Sequence, residues 1–315
     1  MKINYGLHIF RILCYTGVLV YHIFDDIVFN DTGNTAGEFI YFSASYCIPG
    51  FFLMSGYLIA SHQTVTIEYC EKKIKTILTK LFGWIVFFSV LNYILYTELL
   101  NPFEHMIFSL TAQGILPVAW FIFTYCIILI VASFLFHALK IYPILYCISG
   151  GLLIIALAFG FAHRLNNKPQ VLWFHLYLGY FIFGMTILKI QIYLNKRMAK
   201  KKQQILFLST CLLSGVVYIL QVMTRENFML PEAYYGKWYY SIWLFSLFFF
   251  LCNIEIKRQV TQKIIVLFSK NSLVVYLGHL PILTIITSKY HELNTLGDCF
   301  IMLFCLSYLR SLAKR

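Results

Sequence analysis

Apolar segments of about 20 residues, long enough to cross a bilayer as a helix, recur along almost the whole chain between short polar stretches. The pattern predicts ten membrane-spanning helices, near residues 7–29, 39–61, 77–97, 116–138, 142–162, 171–189, 204–223, 238–254, 265–287 and 295–312. We therefore expect an all-α fold, a polytopic integral membrane bundle of about ten transmembrane helices.

The composition excludes a soluble globular protein. Of the 315 residues, 60% are hydrophobic and only 12% are charged, far below the charged share of soluble domains. No segment is typical of a soluble domain or a repeat, so residues 1–315 are expected to form a single membrane domain. The nine cysteines lie almost entirely within apolar segments and lack metal-ligand spacing, which predicts buried thiols and no metal site.

Basic residues are distributed unevenly between the two sets of loops. With the N-terminus placed in the cytoplasm, seventeen of the 25 Lys and Arg residues fall in inside segments and five in outside loops. Because cytoplasmic loops carry an excess of basic residues, both termini are predicted to be cytoplasmic. The net charge of +12 is then explained by loops that face anionic lipid headgroups, and we expect no nucleic-acid partner.

The first predicted span contains two ionisable residues, Arg11 and His22. Their spacing of eleven positions is about three helical turns, which places them ~20° apart around the helix axis and ~16.5 Å apart along it. Ionisable residues on one face inside a span indicate a functional site. A structural alternative stays open, in which Arg11 extends to the cytoplasmic interface and His22 is an ordinary hydrogen-bonded residue.

Two stretches that follow contain small and basic residues. In the second predicted span Gly50, Ser55 and Gly56 favour close helix packing. Lysines then cluster at Lys72, Lys73 and Lys75. Such a cluster beside a membrane-embedded cleft could bind the phosphates of a cytosolic donor, or it could anchor the topology, and the sequence favours the two interpretations about equally.

Later spans contain a tryptophan and a polar stripe. Trp120 opens the fourth predicted span, where the simplest interpretation is a residue of the aromatic belt at the membrane interface. In the ninth predicted span Ser272, Tyr276 and His279 are spaced i, i+4 and i+7, so they share one helix face. A polar stripe inside a span is expected to face protein or water.

Taken in order, these stretches resemble the membrane acyltransferase 3 family. The family's arginine and histidine, with ten residues between them, correspond to Arg11 and His22. Its small-Phe-Phe-x-x-Ser-Gly-aromatic block corresponds to residues 50–57, and its Trp-aromatic pair and Ser…Tyr-Leu-x-His block correspond to residues 120–121 and 272–279. Where the family usually has Arg-x-x-Arg-x-x-Pro, this chain has Lys73, Thr76 and Thr79.

The resemblance implies an enzyme of defined class. Members of the family transfer acyl groups, usually acetyl, from coenzyme A to extracytoplasmic sugars. We therefore expect an O-acetyltransferase of the cell inner (cytoplasmic) membrane, with acetyl-CoA as donor co-substrate. The expected acceptor is a hydroxyl of a cell-surface or exported polysaccharide, or of its lipid-linked precursor.

Roles for individual residues follow from the chemistry of acyl transfer. His22 is assigned as general base, because an imidazole gains and loses a proton near neutral pH. Asp25 and Asp26 are within helical reach of His22 and could orient its ring. Arg11 is assigned to the donor and to the catalytic site, and the further donor-binding candidates are Ser55, Lys72, Lys73 and Lys75. The sequence leaves direct transfer and a covalent acyl-enzyme both open.

Two other functions are compatible with a ten-span chain. A transporter or flippase of a lipid-linked sugar is the main alternative, although no Asp or Glu is predicted at mid-membrane, where coupled carriers commonly need one. A membrane sensor or scaffold is the third, but it would not need Arg11 and His22 on one helix face.

Overall fold

The computed structural model describes residues 4–30, 35–96, 101–108, 119–144, 148, 174–224 and 231–279. These ranges contain helices and connecting turns but no strand, which confirms the predicted all-α class. The helices are α1 (Tyr5–Asn30), α2 (Thr35–Ser43), α3 (Cys47–Ala60), α4 (Ile67–Tyr96), α5 (Pro102–Phe108), α6 (Trp120–Ile141), α7 (Phe174–Arg197), α8 (Lys200–Met223), α9 (Trp238–Cys252), α10 (Gln259–Lys270) and α11 (Ser272–His279).

Most of the predicted spans correspond to observed helices. Within the described ranges, six helical stretches are long and apolar enough to cross a membrane, and the bent pair α10–α11 makes a seventh if it is one span. Helix α9 is apolar but has only 15 residues. The predicted span 295–312 lies outside the described residues, as does almost all of 142–162, so the count of ten stays a prediction.

The second predicted span is broken into α2 and α3, and Pro49 explains the break. A proline has no backbone N–H, so the carbonyl four residues earlier loses its helical partner. That carbonyl belongs to Ser45, and the hydroxyl of Tyr240 in α9 donates to it at 3.1 Å. The hydroxyl of Tyr218 in α8 likewise donates to the carbonyl of Phe42 at 3.2 Å. The break is therefore satisfied by buried tyrosines of neighbouring helices, as apolar surroundings require.

Helices α3 and α7 pack closely, because each presents a glycine to the backbone of the other. A Cβ atom at Gly56 would clash with the carbonyl oxygen of Phe181, and one at Gly184 would clash with the carbonyl oxygen of Leu53. Small residues let helix backbones approach in this way without a side chain between them. The packing interpretation of Gly56 is therefore confirmed.

Polar side chains join α3, α4, α6 and α7 by hydrogen bonds at one end of the bundle. The ammonium group of Lys140, at the end of α6, donates to the carbonyl of Gln63 in the α3–α4 connection at 2.9 Å. The ammonium group of Lys189 in α7 donates to the carbonyl of Leu139 in α6 at 2.7 Å. The lysines thus tie the last turns of the helices together.

The same end contains the beginnings of α1, α8 and α10. The side-chain amide of Asn4 donates to the carbonyl of Cys252 at 3.3 Å, and Lys200 pairs with Glu255 at 2.5 Å. We call this end, where α1, α4, α8 and α10 begin and α3, α6, α7 and α9 end, the basic end. The described lysines and arginines that were predicted to be cytoplasmic lie in the connections at this end or within about two to three turns of the helix ends there.

Candidate functional site

A cavity of about 210 Å³ lies between α1, α3, α4, α6 and α11. Apolar side chains form much of its wall, among them Phe51, Ile77 and Phe121. Its polar lining residues are Arg11, Ser55, Lys73, Tyr125, Ser272 and Tyr276. The cavity therefore brings together predicted residues from the first, second and ninth spans, which are far apart in the sequence.

Two cations face this cavity, and no carboxylate lines it among the described residues. Arg11 and Lys73 are both partly buried, and the ion pair seen within the described ranges, between Lys200 and Glu255, involves neither. The ammonium group of Lys73 lies 5.6 Å from the ring centre of Tyr125. An apolar cavity that holds two positive charges is suited to an anionic group.

The structure separates Lys73 from the other two lysines of the cluster. Successive residues of a helix are about 100° apart around the axis, so Lys72 and Lys75 project in other directions. Both are exposed and neither lines the cavity. Ser55 does line the cavity, from α3. Of the predicted donor contacts, Arg11, Ser55 and Lys73 thus lie together.

Aromatic rings form the wall beside α6 and α11. The ring of Phe121 lies 5.2 Å from that of Tyr276 and 4.9 Å from that of Phe52. Trp120 is only 8% exposed and packs 5.8 Å from Tyr177, centre to centre. The interpretation of Trp120 as an aromatic-belt residue is therefore wrong: α6 turns this side chain inward, where it supports the aromatic wall and does not face the membrane interface.

His22 lies beyond this cavity along α1, and its described ring neighbours are Tyr21 of the same helix and a second histidine, His279. The ring centres of His22 and His279 are 5.2 Å apart and the planes are tilted by 37°. His22 is partly buried, whereas His279 is 1% exposed. Asp25 and Asp26 continue α1 after His22, but their side chains lie outside the described residues.

Helix α11 connects the cavity to the histidines. Ser272 and Tyr276 line the cavity, and His279, ~10.5 Å from Ser272 along the helix, reaches His22. The stripe predicted from the i, i+4, i+7 spacing therefore faces the protein interior, and it runs beside α1 from the level of the cavity to that of His22.

Sequence reasoning did not anticipate two of these contacts. The pairing of His22 with His279 joins residues separated by most of the chain, and only the presence of a histidine inside each of two apolar spans indicated it. Tyr125 was not singled out at all, although it lies one turn after Phe121 and so faces the same cavity.

The fold and this site define a helical membrane protein with a cationic cavity between its helices and two adjacent histidines. A family model described as an acyltransferase domain matches residues 4–309, nearly the whole chain. The chain therefore belongs to the acyltransferase 3 family and is a membrane acyltransferase. No curated protein and no solved structure matches it.

Proposed function

We propose that this acyltransferase moves an acetyl group from acetyl-CoA, bound from the cytoplasmic side, to a hydroxyl of a cell-surface or exported polysaccharide or its lipid-linked precursor. The single observation that carries the proposal is the cavity that holds Arg11 and Lys73 without a described carboxylate. Phosphate groups are the anions that a coenzyme A donor would present to such cations.

The depth of the cavity supports donor entry from the basic end. Arg11 lies two turns from the beginning of α1, and Lys73 lies two turns from the beginning of α4. Because basic ends of membrane helices are usually cytoplasmic, the donor would enter from the cytoplasmic side of the cell inner membrane. A reporter fused at residue 198 should then read inside and one at residue 228 outside, and the opposite readings would contradict this orientation.

The distance between Arg11 and His22 supports separate roles for the two residues, Arg11 in donor binding and His22 as the base. About 16.5 Å along α1 separates the phosphate-binding candidates from the proposed base, so an elongated donor would be required to reach both. The pantetheine arm of coenzyme A is such a connection. The aromatic wall of Phe121 and Tyr276 and the polar stripe of α11 lie along its proposed course.

The proposed transfer is direct. The acceptor O–H bond breaks as its oxygen bonds to the thioester carbon, and His22 takes the proton through a free ring nitrogen. The carbon–sulfur bond then breaks, and the coenzyme A thiolate receives the proton from His22. The products are the acetyl ester and free coenzyme A, and the enzyme returns to its starting protonation.

Purified protein in liposomes tests the proposal directly. Free thiol released from acetyl-CoA is measured with and without surface polysaccharide whose native esters have been removed by mild base, and butyryl-CoA tests the choice of acyl group. Acceptor-dependent thiol release with an equal amount of new ester is expected. Uptake of a lipid-linked oligosaccharide by the same liposomes without any thiol release would overturn the proposal in favour of a flippase.

A further inference from the structure

Two features of His279 are unusual for a histidine inside a membrane span. It is 1% exposed, and its Nε2 atom has no hydrogen-bond partner among the described residues. Its Nδ1 atom lies 2.6 Å from the carbonyl oxygen of Tyr276. A buried polar atom without a partner is costly, so the unpaired nitrogen of His279 requires an explanation.

The hydrogen bond to Tyr276 fixes which nitrogen of His279 carries the proton. A carbonyl oxygen can only accept, so Nδ1 must donate to it. In the neutral imidazole Nε2 then has no hydrogen and presents a lone pair. His279 is therefore held as a hydrogen-bond acceptor, on the side of its ring that is left without a described partner.

Among the described residues, His22 is the side chain placed to use this acceptor. Its ring centre is 5.2 Å from that of His279, and no hydrogen bond joins His22 to any described residue. Because His22 is only partly buried, its ring can turn to close the remaining gap.

We propose that His279 is a positioning residue for His22: its Nε2 accepts the N–H of His22 and so leaves the other nitrogen of His22 free to act as base. The inference rests on the proposed function of His22. No proton passes to His279. As His22 takes the acceptor proton it becomes an imidazolium, and the hydrogen bond to the neutral His279 steadies that charge until the leaving thiolate takes the proton back.

The proposal assigns to a histidine the role that Asp25 or Asp26 has in the interpretation from sequence. In a Ser-His-Asp site the third member sets the tautomer of the base, and its loss is severe because the base then presents the wrong nitrogen. A neutral acceptor at fixed geometry can set the tautomer equally, although it stabilises the imidazolium less than a carboxylate does.

Two substitutions of His279 distinguish the roles of its two ring nitrogens. Asparagine places a donor where Nδ1 was, so His279→Asn keeps the bond to the Tyr276 carbonyl and loses the acceptor. Glutamine places a carbonyl oxygen near the position of Nε2, so His279→Gln keeps an acceptor that cannot titrate. We expect kcat to fall by about 10²-fold in His279→Asn, with donor KM unchanged, and to be restored at least tenfold in His279→Gln.

His137 provides a matched control. Its Nδ1 atom also lies 2.8 Å from the carbonyl of the preceding turn, that of Ser133, but it lies on α6 away from both the cavity and His22. His137→Asn and His137→Gln should leave kcat unchanged. Equal loss of activity in both His279 variants, or full activity in His279→Asn, would overturn the proposal, and so would an Asp25→Asn or Asp26→Asn variant that alone abolishes transfer.

A measurement without substrates separates this inference from the proposed function. In protein labelled with ¹⁵N-histidine, the ring shifts of His22 should report one tautomer in the wild type and in His279→Gln, and a mixture in His279→Asn. A wild type that transfers no acetyl group would remove the proposed function but leave this result standing. A single His22 tautomer in His279→Asn would remove the inference alone.

Discussion

Lys73→Met tests whether the cavity binds the donor. The change removes one of the two cations that line the cavity and keeps most of the apolar stem of the side chain, whose ammonium group lies near Tyr69 and Tyr125. A charge-assisted hydrogen bond to a phosphate contributes about 1.5–3 kcal/mol, which corresponds to a roughly 10- to 150-fold rise in donor KM. The contact is made equally in the ground state and the transition state, so kcat should change little.

The neighbouring lysines provide the matched controls for this prediction. Lys72 and Lys75 are exposed and do not line the cavity, so Lys72→Met and Lys75→Met should each change donor KM by no more than about fivefold. Initial rates of thiol release in liposomes, measured over a range of acetyl-CoA concentrations, give KM and kcat for each variant. Equal donor KM in all three variants would mean that Lys73 is a topology anchor like its neighbours.

Loss of Lys73 also removes its contacts with two aromatic rings, and that effect has to be separated from binding. The ammonium group lies 5.8 Å from the ring centre of Tyr69 and 5.6 Å from that of Tyr125. Cation–π contacts at partly exposed sites contribute about 0.5–1 kcal/mol, so Lys73→Met should lower thermal stability only slightly. A large loss of folded protein would show that Lys73 also supports the fold, and its part in donor binding is then judged from KM at equal amounts of folded protein.

Two further predictions concern packing in the bundle. Gly56→Ala should destabilise the protein by about 1–3 kcal/mol, because the new methyl group meets backbone that cannot move aside, whereas Gly83→Ala, with nothing within 4 Å, should be neutral or slightly stabilising in thermal unfolding assays. Tyr240→Phe should cost about 1–3 kcal/mol by leaving a buried carbonyl unpaired. Tyr15→Phe should lower the free energy of unfolding much less, because the Tyr15 hydroxyl has no described partner. Equal losses in the two variants would show that the hydrogen bond of Tyr240 does not stabilise the break.

The helices could be predicted from the sequence because each is an independent consequence of local composition. An apolar run of about 20 residues forms a helix in a bilayer whatever its neighbours are. The break between α2 and α3 was harder to predict, since Pro49 permits a kink but does not require one. What fixes it is the pair of tyrosine hydroxyls from α8 and α9, and a one-dimensional pattern contains no information on which helices meet.

The candidate site was likewise predictable only where its residues lie on a single helix. Arg11 and His22 were placed on one face because helical spacing within a single span is regular. The distinction between Lys73 and its two neighbours depends on how α4 is rotated against α6, which is a tertiary contact. The pairing of His22 with His279 likewise depends on how α11 lies against α1, and it could not be derived from the spacing in either span.

The separation along α1 makes a final prediction about His22. His22→Gln keeps hydrogen-bonding atoms but cannot carry a proton, so kcat should fall by about 10²–10⁴-fold with donor KM little changed. Substitutions that are more than 7–10 Å apart and share no partner usually have additive free energies. His22→Gln and Lys73→Met should therefore combine additively in the free energy of kcat/KM.

The effects of His22→Gln and His279→Asn on the free energy of kcat/KM should, in contrast, not be additive. The two rings are 5.2 Å apart, and a positioning residue has nothing to position once the base is gone, so the double variant should be no slower than His22→Gln alone. Steady-state kinetics of the single and double variants, at equal amounts of folded protein, measure both cycles. Additive losses for the histidine pair would show that the two rings act independently, and near-wild-type transfer by His22→Gln would remove the proposed base from the mechanism.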